Sequence, residues 1–219
     1  YPKSNFHFIN DNAEWLQMDK IGHLYSAYHL GRFGAEALHW SGVRKQDQLI
    51  YGATLGFAFL SIVEVMDGYS AEWGASSGDI IANALGTGLY VSQELLWKEQ
   101  RITPKFSFHT TSFAAQNPNK LGSTFSEQLL KDYNGQTYWL SANMHSFFKG
   151  SKIPKWLNLA FGYGADGMSA AHLEKLNAEQ RAAVEHQRLA GHVLRAVRCE
   201  IEIWRGEVFR LQQDRKSVV

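Results

Sequence analysis

Residues 48–66, QLIYGATLGFAFLSIVEVM, are the most apolar run in the chain and constrain its fold more than any other stretch. The run is bounded by the charged VRKQD before it and by Asp67-Gly68 after it. As a helix it reaches roughly 28 Å, close to the thickness of a hydrocarbon core. It keeps Gly52 and Gly56 inside, residues that cost helix propensity in water and so suggest close helix packing at small-xxx-small spacing.

Two further apolar helices flank it. The first spans about Asp19 to Trp40. The third runs from about Gly78 to Trp97, with Ser76 or Ser77 as N-cap, Gly86 and Gly88 inside it, and Pro104 closing off the segment after it. Farther on, Thr124 with Glu127 makes a capping box for SEQLLKDY, which Asn134-Gly135 ends. QTYWLSANMHSFF reads as an aromatic-faced helix, and Pro154 as the start of another over IPKWLNLAFGYGADGM, with Trp156, Leu157, Leu159 and Phe161 on the bundle or at an interface. The expected fold class is therefore all-α: an antiparallel helical bundle with three apolar helices plus shorter amphipathic helices.

Charge placement bears on the surroundings of such a bundle. Arg44 and Lys45 follow the first helix and Lys98, Arg101 and Lys105 the third, whereas the intervening loop DGYSAEWGASSGD has no Lys or Arg. That alternation is what the positive-inside rule expects of three spanning helices, and it makes a membrane the expected partner. The mean hydropathy of −0.30 pulls towards a soluble or peripheral bundle. A formal net charge of +1 argues against nucleic acid as the main partner, and one cysteine excludes a disulfide framework or a Cys-rich zinc site.

Composition shifts near residue 168. Residues 1–168 hold all but two of the aromatic residues and only three arginines, Arg32, Arg44 and Arg101, whereas residues 169–219 are arginine-rich. Two pieces are expected: an envelope-associated helical domain, 1–168, and a foreign or artefactual helical tail, 169–219. A genuine amphipathic C-terminal helix is the alternative for the tail. Within it LEKLNAEQRAAVEH (173–186) resembles the opening of UvrD-like helicases, in which Gln180 would contact adenine, but no Gly-rich phosphate loop comes after it. The first residue, Tyr1, with no initiator Met or leader, reads as a processed end or fragment edge.

Up-and-down topology brings three helix ends together. Asp19, Lys20 and His23 open the first helix, Glu64 and Asp67 close the second, and Asp79 and Asn83 open the third. Spacings of i,i+3 or i,i+4 put each pair on one face. Four carboxylates cannot all stay ionised in a partly dry space without a cation. The options are a divalent metal such as Mg2+, Ca2+ or Zn2+, a raised carboxyl pKa, or neutralisation by Lys20 and His23. The same residues equally suit a structural role, satisfying one another and the helix ends.

MDKIGH, EVMDGYS and GASSGDIIANALG, then DYNGQTYWLSANMH and IPKWLNLAFGYGADGM, resemble the uncharacterised family of predicted periplasmic lipoproteins, over about residues 6–168. More distantly, the order Asp-Lys-x-x-His, a Glu ending an apolar helix and Asp-x-x-x-Asn-x-x-Gly is similar to the VanZ-like membrane family. By that resemblance the matching positions are Asp19, Lys20, His23, Glu64, Asp79, Asn83 and Gly86, with Asp67 standing where the family usually has Gln. Both resemblances imply the bacterial cell envelope, periplasm or inner membrane, and neither brings a mechanism.

Three functions compete. The first is a polar site that binds a metal or an envelope ligand, a small molecule or a lipid. The second is a non-catalytic scaffold in which the same residues lock the helices. A hydrolase using His23 and Glu64 ranks last, for want of a nucleophile. GYGADG (162–167) lacks the lysine of a phosphate loop and reads as a turn, His7, His109 and His145 stand alone, and Trp139, Phe147, Phe148 and Trp156 read as core.

Overall fold

The structure, a computed structural model, describes residues 2–12, 14–165, 167–168 and 198–201. The short strand β1 (Phe8–Ile9) leads to a left-handed turn at Trp15, Leu16 and Gln17, and helix α1 (Met18–Trp40) comes next. One turn of α2 (Lys45–Asp47) passes through a π-helical stretch, Gln48–Gly52, towards α3 (Leu55–Gly68). Strand β2 (Ala75–Ser76) pairs in parallel with β1 and runs straight into α4 (Ser77–Leu96). As expected, Ser76 is the N-cap, its Oγ accepting from the Asp79 N–H.

Helix α1 packs on both α3 and α4. Glycine makes this contact one of backbone on backbone: a Cβ at Gly56 would lie 2.2 Å from the Ala27 carbonyl oxygen, and one at Gly86 2.1 Å from that of Leu24. Gly52 meets Gly34 and Ala35 in the same way, so the glycines expected at helix contacts are there. Gly88 differs. Nothing lies within 4 Å of its Cβ position, because it faces outward.

The all-α expectation fails after Trp97. Strand β3 (Ile102–Phe108) is followed by short helices α5 (Ser112–Gln116), α6 (Pro118–Leu121) and α7 (Phe125–Lys131). Strand β4 (Gln136–Asn143), one turn of helix α8 (Met144–Phe147) and strand β5 (Leu157–Gly164) come next. Strands β3, β4 and β5 pair antiparallel in that order, and β6 (Arg198–Ile201) joins the far side of β5. The chain is thus mixed α and β. Neither QTYWLSAN nor LNLAFGYG is helical; the second alternates along a pleat, with Asn158, Ala160 and Gly162 buried and Leu159, Phe161 and Tyr163 exposed, and the first pairs with it. Pro104 ends nothing; it sits within β3, an edge strand that tolerates its missing N–H. The capping box at Thr124 and Glu127 is present. Apart from β6, the tail 169–219 lies outside the described residues.

The sheet lies on the first half of α1. Tyr25 stacks with Phe106 and Tyr138, and His29 Nε2 donates to the Pro104 carbonyl at 2.9 Å. Burial holds the His29 pKa below its usual value, so the ring stays neutral. At the far end of α4, Gln93 satisfies β3's start, its Oε1 accepting from the Arg101 and Ile102 N–H groups.

The two kinds of glycine give opposite expectations in urea or thermal unfolding. Gly86→Ala should cost about 1–3 kcal/mol by forcing α4 off α1. Gly88→Ala should leave the fold intact and stabilise it by about 0.5–1 kcal/mol.

Candidate functional site

The parallel pairing of β1 with β2 carries the N-terminal segment across the ends of α1, α3 and α4 and delivers Asp11 there. Lys20 Nζ lies 2.7 Å from Asp11 Oδ2 and 3.1 Å from Asp79 Oδ1. One ammonium therefore ties the N-terminal segment, α1 and α4. Ser76 joins the same group: its N–H donates to Glu64 Oε2 at 3.0 Å and its hydroxyl to Asp11 Oδ1 at 2.7 Å.

His23 stands one turn beyond Asp19 on α1. Its Nδ1 is 3.0 Å from Asn83 Oδ1, and its Nε2 is 3.5 Å from Glu64 Oε1. An amide oxygen only accepts, so the Nδ1 carries a proton in this pair. Asn83 is fully buried, and its Nδ2 has no partner. Asp19, His23 and Asp79 each offer a ligand atom within 4.8 Å of the others. Asp19 also accepts from Tyr133 Oη at 2.7 Å.

Of the residues expected to meet, Asp19, Lys20, His23, Glu64, Asp79 and Asn83 are linked by these contacts. Asp67 acts on the cluster through its charge, towards His23 and Asp19. Asp11, Ser76 and Tyr133 are additions. A parallel pairing only two residues long has no signature in sequence, which hid Asp11. The Asn134-Gly135 turn, read only as a helix stop, is what presents Tyr133.

Five carboxylates face one lysine and one imidazole here, and the titration of the acids reflects the imbalance. Burial pushes Glu64 up to about 7, against the hydrogen bond from Ser76 and the pull of His23. Burial, then the charge of Asp19, raises Asp79 to about 6 although Lys20 is beside it. Burial also raises Asp67. Asp11 goes the other way: burial works against it, but the bond to Lys20 prevails and holds it below the usual carboxylate range. The Tyr133 phenol is pushed far up by burial and by Asp19, so it remains a donor.

A cavity of about 320 Å³ opens on this cluster. Asp19, His23 and Tyr133 give it one polar wall, Leu60, Phe106 and Leu129 an apolar one, and Ser26 and Gln136 add polar groups. Such a mixture suits a small molecule with a polar head.

No curated protein and no solved structure matches the chain. The resemblances to VanZ-like proteins and to helicases gain no support from the comparisons. The model of one family, described as predicted periplasmic lipoprotein (DUF2279), matches residues 7–94, which hold β1, α1, α3, most of α4 and every acid of the cluster, so over this stretch the chain is similar to a family predicted to lie in the bacterial cell envelope.

Proposed function

We propose that the chain is a cell-envelope binding protein that holds a divalent transition ion such as Zn2+ on Asp19, His23 and Asp79, beside a cavity that admits a ligand to it. The observation behind this reading is the convergence of those three side chains within 4.8 Å in a site with surplus negative charge. An imidazole with two carboxylates is a donor set for zinc rather than for calcium or magnesium. A zinc ion with bonds of about 2.1 Å draws its donors closer than 4.8 Å, so binding loosens Asp19 from Tyr133 or Asp79 from Lys20. The Asn83 contact at the His23 Nδ1 orients the ring, as outer partners of ligating histidines do.

The second reading is that the cluster only locks the helices. The Lys20 ammonium, shared between Asp11 and Asp79 on separate elements, favours it.

Zn2+ titration followed by calorimetry separates the two. On the first reading the chain takes up one equivalent, and His23→Ala and Asp79→Asn each weaken binding at least about tenfold while circular dichroism is unchanged. Absence of saturable uptake, or unfolding of both variants, rejects it in favour of the lock.

Stability without metal supplies a second check. Because Glu64 and Asp79 bind protons more tightly folded than unfolded, their contribution falls as pH rises from about 4 to about 7. In chelator, Glu64→Gln is expected to raise the melting temperature at pH above 7 and to change it little at pH below 5. Equal effects at both ends would show that Glu64 is not held protonated by its surroundings.

A further inference from the structure

The helical run Lys45–Gly68 is long and apolar enough to cross a membrane, yet only 22 % of its most apolar stretch is buried. Its outward stripe is Leu55, Phe59, Ile62 and Met66, at helical spacing, with Ile62 61 % exposed. On α4 the outward stripe begins with Ile81 and Leu85 and passes Gly88. Helices α3 and α4 pack on each other as well as on α1, so the two exposed stripes belong to neighbouring helices.

The combined face carries no charge. Between Asp47 and Asp67 the one charged residue is Glu64, which is buried, and between Asp79 and Glu94 there is none. A protein partner is matched by a rim of charged and polar groups around an apolar centre; a face uncharged for the length of two helices matches acyl chains. At one end of the hairpin stand Arg44 and, 91 % exposed, Trp40, a cation and an indole of the kind that settle among anionic headgroups. The matched family's description, periplasmic lipoprotein, puts a membrane surface within reach.

The sheet decides how lipid meets this face. It covers α1 from Gly22 to His29, within the first half of the helix, so a bilayer surrounding the full length of the bundle would immerse Lys105 and an open sheet edge in hydrocarbon. Only the side opposite the sheet is available. We infer that the α3/α4 hairpin lies flat in the outer part of one leaflet, its charge-free face in the acyl chains and the sheet turned to water. This orientation differs from the one expected from the alternating loop charges: the helices would run along the membrane rather than through it.

The test is flotation of the 219-residue chain, produced without lipid modification and purified, with preformed vesicles of phosphatidylethanolamine and phosphatidylglycerol. The chain should stay in solution without detergent and float with the vesicles. Ile62→Glu combined with Leu85→Glu should lower the floating fraction about tenfold or more, with circular dichroism unchanged because both side chains are exposed. Leu140→Glu, one added carboxylate on the exposed side of the sheet, should leave flotation as it was. The inference is overturned if the parent chain does not float, if the double variant floats equally well, or if Leu140→Glu is the variant that abolishes binding. Need of detergent for solubility would mark a spanning protein and overturn it too. A stable dimer in light scattering, dissociated by the double variant without any vesicle binding, would instead assign the face to a second copy of the chain.

Discussion

Close backbone contact along α1 governs the arrangement of everything else. Where Gly56 meets the Ala27 carbonyl and Gly86 that of Leu24, no side chain separates the helices. Such contact fixes both the axial register and the tilt of α3 and α4 on α1, since a shift of one residue would bring a Cβ into a carbonyl oxygen. The polar cluster inherits its geometry from this. His23 reaches Glu64 on one neighbour and Asn83 on the other because Ala27 and Leu24, on the next turn, are clamped at glycines.

The clamped ends impose an electrostatic cost that is only partly met. Lys20 answers two carboxylates, and the others settle by taking protons at unusually high pH or by bonding to Ser76 and Tyr133. Purely structural polar clusters tend to balance their charge. This one is left acidic and adjoins a cavity, and its buried amide Nδ2 at Asn83 lacks a partner. Those properties are the ones on which the proposed binding role rests.

The helical half was legible because its signals are local. Ser76 before an apolar run, Thr124 three residues before Glu127, and glycines recurring on one helix face each act within a turn or two. The meeting of Asp19, His23, Glu64, Asp79 and Asn83 came from antiparallel order alone. Strands were missed for a different reason. In LNLAFGYG the large residues alternate strictly with small or polar ones, a period-two signal, but the large ones point outward and the small ones inward, the reverse of the usual pattern. Pro154 and Pro104 then drew the reading towards helix boundaries. Asp11 and Tyr133 reach the cluster through a two-residue bridge and a loop, neither of which writes a period into the sequence.

Ser76 does three jobs with one residue. Its amide holds Glu64, its hydroxyl hydrogen holds Asp11, and its oxygen caps α4 through the Asp79 N–H. A hydroxyl has a single hydrogen to give, and here it goes to Asp11, which leaves the oxygen to receive the Asp79 N–H. One small residue of β2 therefore pins the N-terminal segment, α3 and the start of α4 at a single point.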